Sequence, residues 1–370
     1  MPPTRPTPGS VHASLMIRTM VRPVSIAFVL VALISCIMQP PAQAATADAV
    51  IGIPAQVVAD IREGRLDAAG GWDYAAFDVA LQRAYVARNS EVMAIDVPSM
   101  TVTTHLVQGQ HTHQVLILPG GQEILVTNGD ADTATIADAR TGAIRATVRT
   151  GRKPDAAIYD RYTNDVLVMD GDAGDITMID PRIGRTTGSF KVGGVLEAAA
   201  SDNRGRLYVN IEDRNQLAVI DLHSRKVITH IALKNCEGPT GLALDSGRGL
   251  LVSVCGNGIA EIIETRNGSL IASLAIGPGP DAALFDARAG SVFVPSGSGA
   301  NGQGSLSEIA LSDGVPHVKR IIVTRPGART AALDPGTGRV FLPYGQTTRT
   351  ADGKRSLVPG SFGVLVMRTR

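Results

Sequence analysis

The chain has 370 residues, 44% of them hydrophobic, and 35 Lys and Arg against 34 Asp and Glu give a formal net charge of +1. Charge that balanced, without basic runs, argues against nucleic-acid binding as the main task, while the hydrophobic content suffices for a sizeable core. A typical domain of ~150 residues would make this length two or more domains, unless the chain is built from repeats, and it is.

Residues 1–44 read as an export signal. Arg18 and Arg22 precede an apolar run from Val24 to Met38, and Gln39-Pro40-Pro41-Ala42-Gln43-Ala44 follows. A basic start, an apolar centre and a closing Ala-x-Ala are the parts of a secretory signal peptide. The run (24–38) is 15 residues, shorter than the ~20 a membrane-spanning helix needs. The Pro-rich stretch before Met16 adds nothing to a signal, so Met16 or Met20 would serve as the start. A second reading is a lipoprotein signal, because Leu33-Ile34-Ser35-Cys36 fits a lipobox and acylation of Cys36 would tether the chain to a membrane. The more complete Ala-x-Ala signal favours cleavage after Ala44. Both readings export the chain, to the periplasm or beyond.

Residues 45–370 form the second region. Its first strand-like run, Gln56 to Gly64, reads like the closing runs of later segments such as Val318 to Gly327. From residue 71 one pattern is written seven times: an apolar start, a run rich in β-branched and aromatic residues, a third run often ending in Asp, and a fourth closing on Gly. The first-run marker falls at Asp78, Pro119, Asp160, Asp202, Asp245, Asp286 and Asp334, which subtraction spaces at 41, 41, 42, 43, 41 and 48 residues. The second runs, such as Ala84 to Arg88, Val166 to Asp170 and Val340 to Pro343, carry the strand signal. Third runs span Val92 to Asp96, Thr133 to Asp138, Asp175 to Asp180, Gln216 to Asp221 and Ile259 to Glu264. Turn pairs such as Thr141-Gly142 and Asn267-Gly268 follow some of them. The period and the all-strand content predict an all-β fold: a seven-bladed β-propeller of four-stranded blades. Copy seven reaches its third strand at Val364 to Met367. The run at 56–64 is therefore expected to join the last blade as its fourth strand, which closes the ring and leaves no free inner edge.

Outside the signal only Cys236 and Cys255 remain, and an even count in an oxidising compartment invites a disulfide. The first lies between blades four and five, the second ends the second strand of blade five, and these two loop types open on one face of a propeller.

The residues ahead of each first strand surround the mouth of the central channel: Trp72 and Asp73, His111 and His113, Asp155, Glu197, Glu237, Asp281 and Arg329. Gly, Ser or Thr would serve a plain scaffold there. Five carboxylates, two histidines and an arginine around a ring instead suggest a ligand site. Close like charges would raise some of the carboxylates, which suits metal binding or acid–base work. The competing reading is that such residues cap backbone groups and tie blades together, with Arg329 paired to Asp281 or Asp73. Alternation along a strand lets only one of His111 and His113 look inward, and His113 is the closer to the strand. Candidate cation ligands are Asp155, Glu197, Glu237 and Asp281, for a divalent ion such as calcium, with His113 as a candidate base.

Three motif matches carry less. Gly297-Ser298-Gly299-Ala300-Asn301-Gly302 fits a dinucleotide pattern, but a strand follows where a helix is required. Asn128, Asp130 and Asp132, and Asp170, Asp172 and Asp175, lack the full calcium-loop spacing and its closing Glu. Haem attachment would need Cys-x-x-Cys-His, which is absent.

In these repeats the chain resembles the YVTN family of β-propellers, including YncE-like periplasmic proteins, and Ile124-Leu125-Val126-Thr127-Asn128 stands closest to the family's name-giving strand. Asn210-Ile211-Glu212-Asp213, Cys236 to Ala243, Cys255-Gly256-Asn257, Gly327 to Thr330 and Pro359 to Phe362 look like an exported bacterial subgroup. The resemblance covers roughly residues 50–370 and implies architecture more than activity. The expectation is an exported, monomeric propeller that binds a small ligand, a metal ion or an envelope protein at its channel mouth. The alternatives are a lactonase-like metal-assisted hydrolase or lyase, and an interaction scaffold.

Overall fold

The computed structural model describes residues 56–62 and 71–370, apart from 300, 301, 313, 351, 352, 354 and 370. The signal segment and Cys36 lie outside the described residues. Seven four-stranded antiparallel sheets follow one another: blades one to six span 75–108, 112–149, 154–191, 196–232, 239–275 and 284–324. Blade seven takes Ala332–Asp334, Arg339–Tyr344 and Gly363–Arg368, and Gln56–Arg62 as its fourth strand. Among the described residues the one helical element is a 3-10 turn, Glu212–Arg214, and no helix is long and apolar enough to cross a membrane.

The recurring Asp is explained by turn chemistry. Asp78 Oδ1 accepts the N–H groups of Ala80 and Leu81 at 2.7 and 3.0 Å, and Asp160, Asp245, Asp286 and Asp334 accept turn N–H groups in the same way. Each carboxylate thus stands in for a backbone partner and fixes the turn between the first and second strands.

The apolar second and third runs follow from burial on both faces, as a strand between two packed sheets requires. Tyr85, Leu125, Leu167, Phe293 and Phe341 are fully buried. Seven apolar clusters lie one per interface between consecutive blades; Leu167 and Met169 of blade three, for example, pack with Leu207 and Val209 of blade four.

The ring closes as the repeat implies. Gln56–Arg62 pairs antiparallel with Gly363–Arg368, from Gln56 opposite Arg368 to Arg62 opposite Gly363. Asp60 accepts hydrogen bonds from the Tyr344 hydroxyl at 2.6 Å and from Arg325 at 2.9 Å. Cys236 and Cys255 form a disulfide with Cα atoms 5.4 Å apart. One feature is absent from the sequence reading: a hairpin, Thr347–Arg349 with Arg355–Leu357, inserted between the second and third strands of blade seven.

Candidate functional site

The site is built at one register position. Asp73, Asp155, Glu197, Asp281 and Arg329 each stand five residues ahead of their marker, at Asp78, Asp160, Asp202, Asp286 and Asp334. Pairing with the second strand jumps from Thr112 to Val115, Pro154 to Ala157, Leu196 to Ala199 and Pro239 to Leu242. A bulge at that point leaves the intervening residues out of the ladder and re-aims their side chains. His113, Asp155 and Glu197 are residues of this kind. Thr240 holds the same place in blade five, three residues beyond Glu237, which is exposed in the loop before the strand.

The charges converge around His113, which is buried. Its Nδ1 lies 2.7 Å from Asp73 Oδ2 and 3.8 Å from Asp155 Oδ1. Donor atoms of Asp73, His113 and Asp155 all lie within 4.8 Å of one another. Across the ring Arg329 donates from Nε to Asp281 at 2.7 Å and from Nη2 to the Trp72 carbonyl at 2.8 Å. His111 adopts a positive φ of 54°; its ring pairs with Asp130 at 3.2 Å and packs on the His113 ring, centroids 4.3 Å apart.

Backbone at this position also ties the blades together. The buried Thr330 and Thr127 hydroxyls donate to the carbonyls of Asp73 and Asp155, both at 2.7 Å, and Thr240 donates to the Pro280 carbonyl at 2.9 Å. Capping and ligand-binding readings are therefore not exclusive here. Side chains link blades as well, His113 with Asp73 and Arg329 with Asp281, the inter-blade pair expected for Arg329.

Electrostatics follow from that crowding. Burial works against charge on His113, but the Asp73 hydrogen bond and the charges of Asp155 and Asp73 outweigh it and hold the imidazole at about 9. Burial raises Asp155, His113 opposes, and Asp73 and Asp281 add to the rise. Glu197 is pushed well above the carboxylate range by burial and then by Asp155, Asp281 and Glu212. Burial also raises Asp281, against the pull of Arg329. Such a cluster holds protons near neutral pH or gives them up to a cation.

Two participants escaped the sequence reading. Tyr74 of blade one packs with Ala156 and Leu196 of blades three and four, so it crosses the channel. Its hydroxyl is buried without a hydrogen-bond partner among the described residues. Burial raises this phenol, and the charges of Glu197, Asp155, Asp281 and Asp73 raise it further. The second is Glu212, in the 3-10 turn. Tyr74 stands directly after the Trp72-Asp73 pair, and Glu212 lies within Asn210-Ile211-Glu212-Asp213, one of the segments that carry the family resemblance; neither pattern shows that the side chain meets the ring.

No family model matches the chain, and no curated protein does. Solved structures match by shape. A chain of the mitotic checkpoint complex aligns with a TM-score of 0.69 at 15% identity over 94% of this chain and 99% of its own length. A chain of hydrazine synthase from Kuenenia stuttgartiensis aligns with a TM-score of 0.65 at 13% identity over 80% and 97%. At these identities the likeness establishes the seven-bladed β-propeller fold and nothing finer.

Proposed function

We propose that this chain is an exported propeller, of the YVTN-repeat kind its strands resemble, that binds a divalent cation at the mouth of its central channel through Asp73, His113 and Asp155. One observation carries this reading: the three donors lie within 4.8 Å of one another, beside a Tyr74 hydroxyl buried amid carboxylates without a partner among the described residues. An imidazole nitrogen with two carboxylates suits Zn²⁺ or Mn²⁺ better than calcium, which takes six to eight oxygens. Arg329 neutralises Asp281 and leaves Glu197 to complete the ion's surroundings. The disulfide supports export.

The test uses the full exported chain, purified without chelator. Metal analysis together with calorimetric titration of Zn²⁺ and Mn²⁺ should find one equivalent bound. Asp155→Asn and Asp73→Asn should each weaken it by at least about tenfold. Affinity should rise with pH towards 9, because the proton on His113 must leave before Nδ1 can bind the ion. No retained or titrated ion, or an Asp155→Asn variant that binds like the parent chain, would overturn the assignment.

A further inference from the structure

The two places where the sevenfold pattern is broken line one cleft. Second and third strands are joined by two to four residues in blades one to five: 89–90, 129–132, 171–174, 212–215 and 256–258. In blade six the connection is 297–303, seven residues, and in blade seven it is 345–362, eighteen residues that carry the extra hairpin. Both insertions and Arg329 wall a cleft of about 1030 Å³, at the upper end of the roughly 300–1,000 Å³ usual for small-molecule sites. Glycine lets its floor pack tightly. A Cβ on Gly327 or Gly345 would come within 2.9 Å of the Trp72 ring, so the backbone can close on the indole only without side chains.

The chemistry of this cleft is opposite to that of the acidic ring beside it. No Asp or Glu lines it among the described residues, whereas Arg329 and Arg349 do. Arg329 uses Nε on Asp281 and Nη2 on the Trp72 carbonyl, which leaves Nη1 without a partner among the described residues. Arg349, on the exposed hairpin, spends Nη1 on the Gly353 carbonyl and is in no ion pair among the described residues. The open edge of Arg329, whose charge Asp281 balances, and the guanidinium of Arg349, in no ion pair among the described residues, together suit a carboxylate. Ser298, Gln303, Gln346 and Thr348 add neutral donors and acceptors of the kind that match hydroxyl groups.

We propose that this cleft binds a small, hydroxyl-rich carboxylate of the sugar-acid class, its carboxylate held by Arg329 and Arg349. The inference does not rest on the cation site. It needs the two insertions and the arginines, whereas the cation needs Asp73, His113 and Asp155.

The test titrates the full chain with D-galacturonate and D-gluconate as probes and with D-galactose as the neutral counterpart. A carboxylate should bind saturably and galactose should not. Arg349→Glu, on an exposed side chain, and Thr348→Trp, which fills the cleft, should each weaken binding at least about tenfold while melting like the parent. Asp155→Asn should leave carboxylate affinity within about twofold. The proposal is overturned if neither carboxylate binds, if galactose binds as well, if the cleft variants bind like the parent, or if Asp155→Asn abolishes binding. Carboxylate binding without cation binding would sink the channel-mouth reading alone, and the reverse result would sink this one alone.

Discussion

At the last residue of the second strand, copies two and three of the repeat solve one problem differently. Asn128 in blade two donates to the hydroxyls of Thr133 and Thr135 at 3.3 and 3.1 Å. Blade three has Asp170 in that place, fully buried, accepting the Thr177 hydroxyl at 2.7 Å, with no partner for Oδ1 among the described residues. Burial, despite the Thr177 hydrogen bond and the nearby Gly151 N–H, lifts this acid from 3.8 to about 7. A folded value above the unfolded one means the native state prefers the proton. The group's contribution to stability is therefore full below about pH 4 and lost as pH rises through 7. Asp170→Asn keeps the shape and removes the ionisation. It should change stability little at pH 4 and stabilise the fold by roughly 1–3 kcal/mol at pH 8, read from urea melts at the two pH values. Equal effects at both would show that ionisation is not the cause. Which ring residues are legible from sequence has a similarly local answer. Asp73, Asp155, Glu197, Asp281 and Arg329 betray themselves because they differ at one fixed offset from the marker. Glu237 is three residues off that register, where Thr240 stands. Tyr74 has only its place after Trp72-Asp73 to mark it, because its role depends on reaching blades on the other side of the channel.

Elements were legible where local pattern and packing agree. The third strands run as the sequence placed them at Thr133–Asp138, Asp175–Asp180, Gln216–Asp221 and Ile259–Glu264, because burial on both faces favours a largely apolar run and an Asx turn ends the first three. The hairpin at 347–357 was not legible. Thr347-Thr348-Arg349 is exposed and polar, so it carries no alternation, and its lone apolar anchor, Leu357, packs among residues of blades seven and one. The disulfide is an element-scale device: it fastens the chain ahead of the first strand of blade five to the end of that blade's second strand. Closing a span of 19 residues should stabilise by about 3 kcal/mol in the loop-entropy account. The Cys236→Ser, Cys255→Ser double variant should lose that amount in urea melts. Adding dithiothreitol should bring the parent down to the variant's level and leave the variant unmoved; a variant as stable as the parent would rule out a structural role.

For the whole molecule the question is what makes a ring out of units that each touch only their neighbours. In an open array stability is a sum of unit and interface terms, and the end units fray. Here Gln56–Arg62 joins chain positions some three hundred residues apart in sequence. Ala59 and Ile61 pack against the cluster shared by blades seven and one, which includes Phe341, Val366, Val86 and Ile95. Removing residues up to Arg62 would bare the Gly363–Arg368 strand as an edge and strip Asp60 from Tyr344 and Arg325. Adding a peptide of sequence 56–62 in trans should occupy that edge. The truncated chain should self-associate, and its amides at 363–368 and in blade one should exchange faster. Blades three and four, farthest from the break, should keep most of their protection, and the peptide should restore the monomer. Uniform loss of protection around the ring would mean instead that the propeller folds as one cooperative unit, with closure contributing to every blade at once.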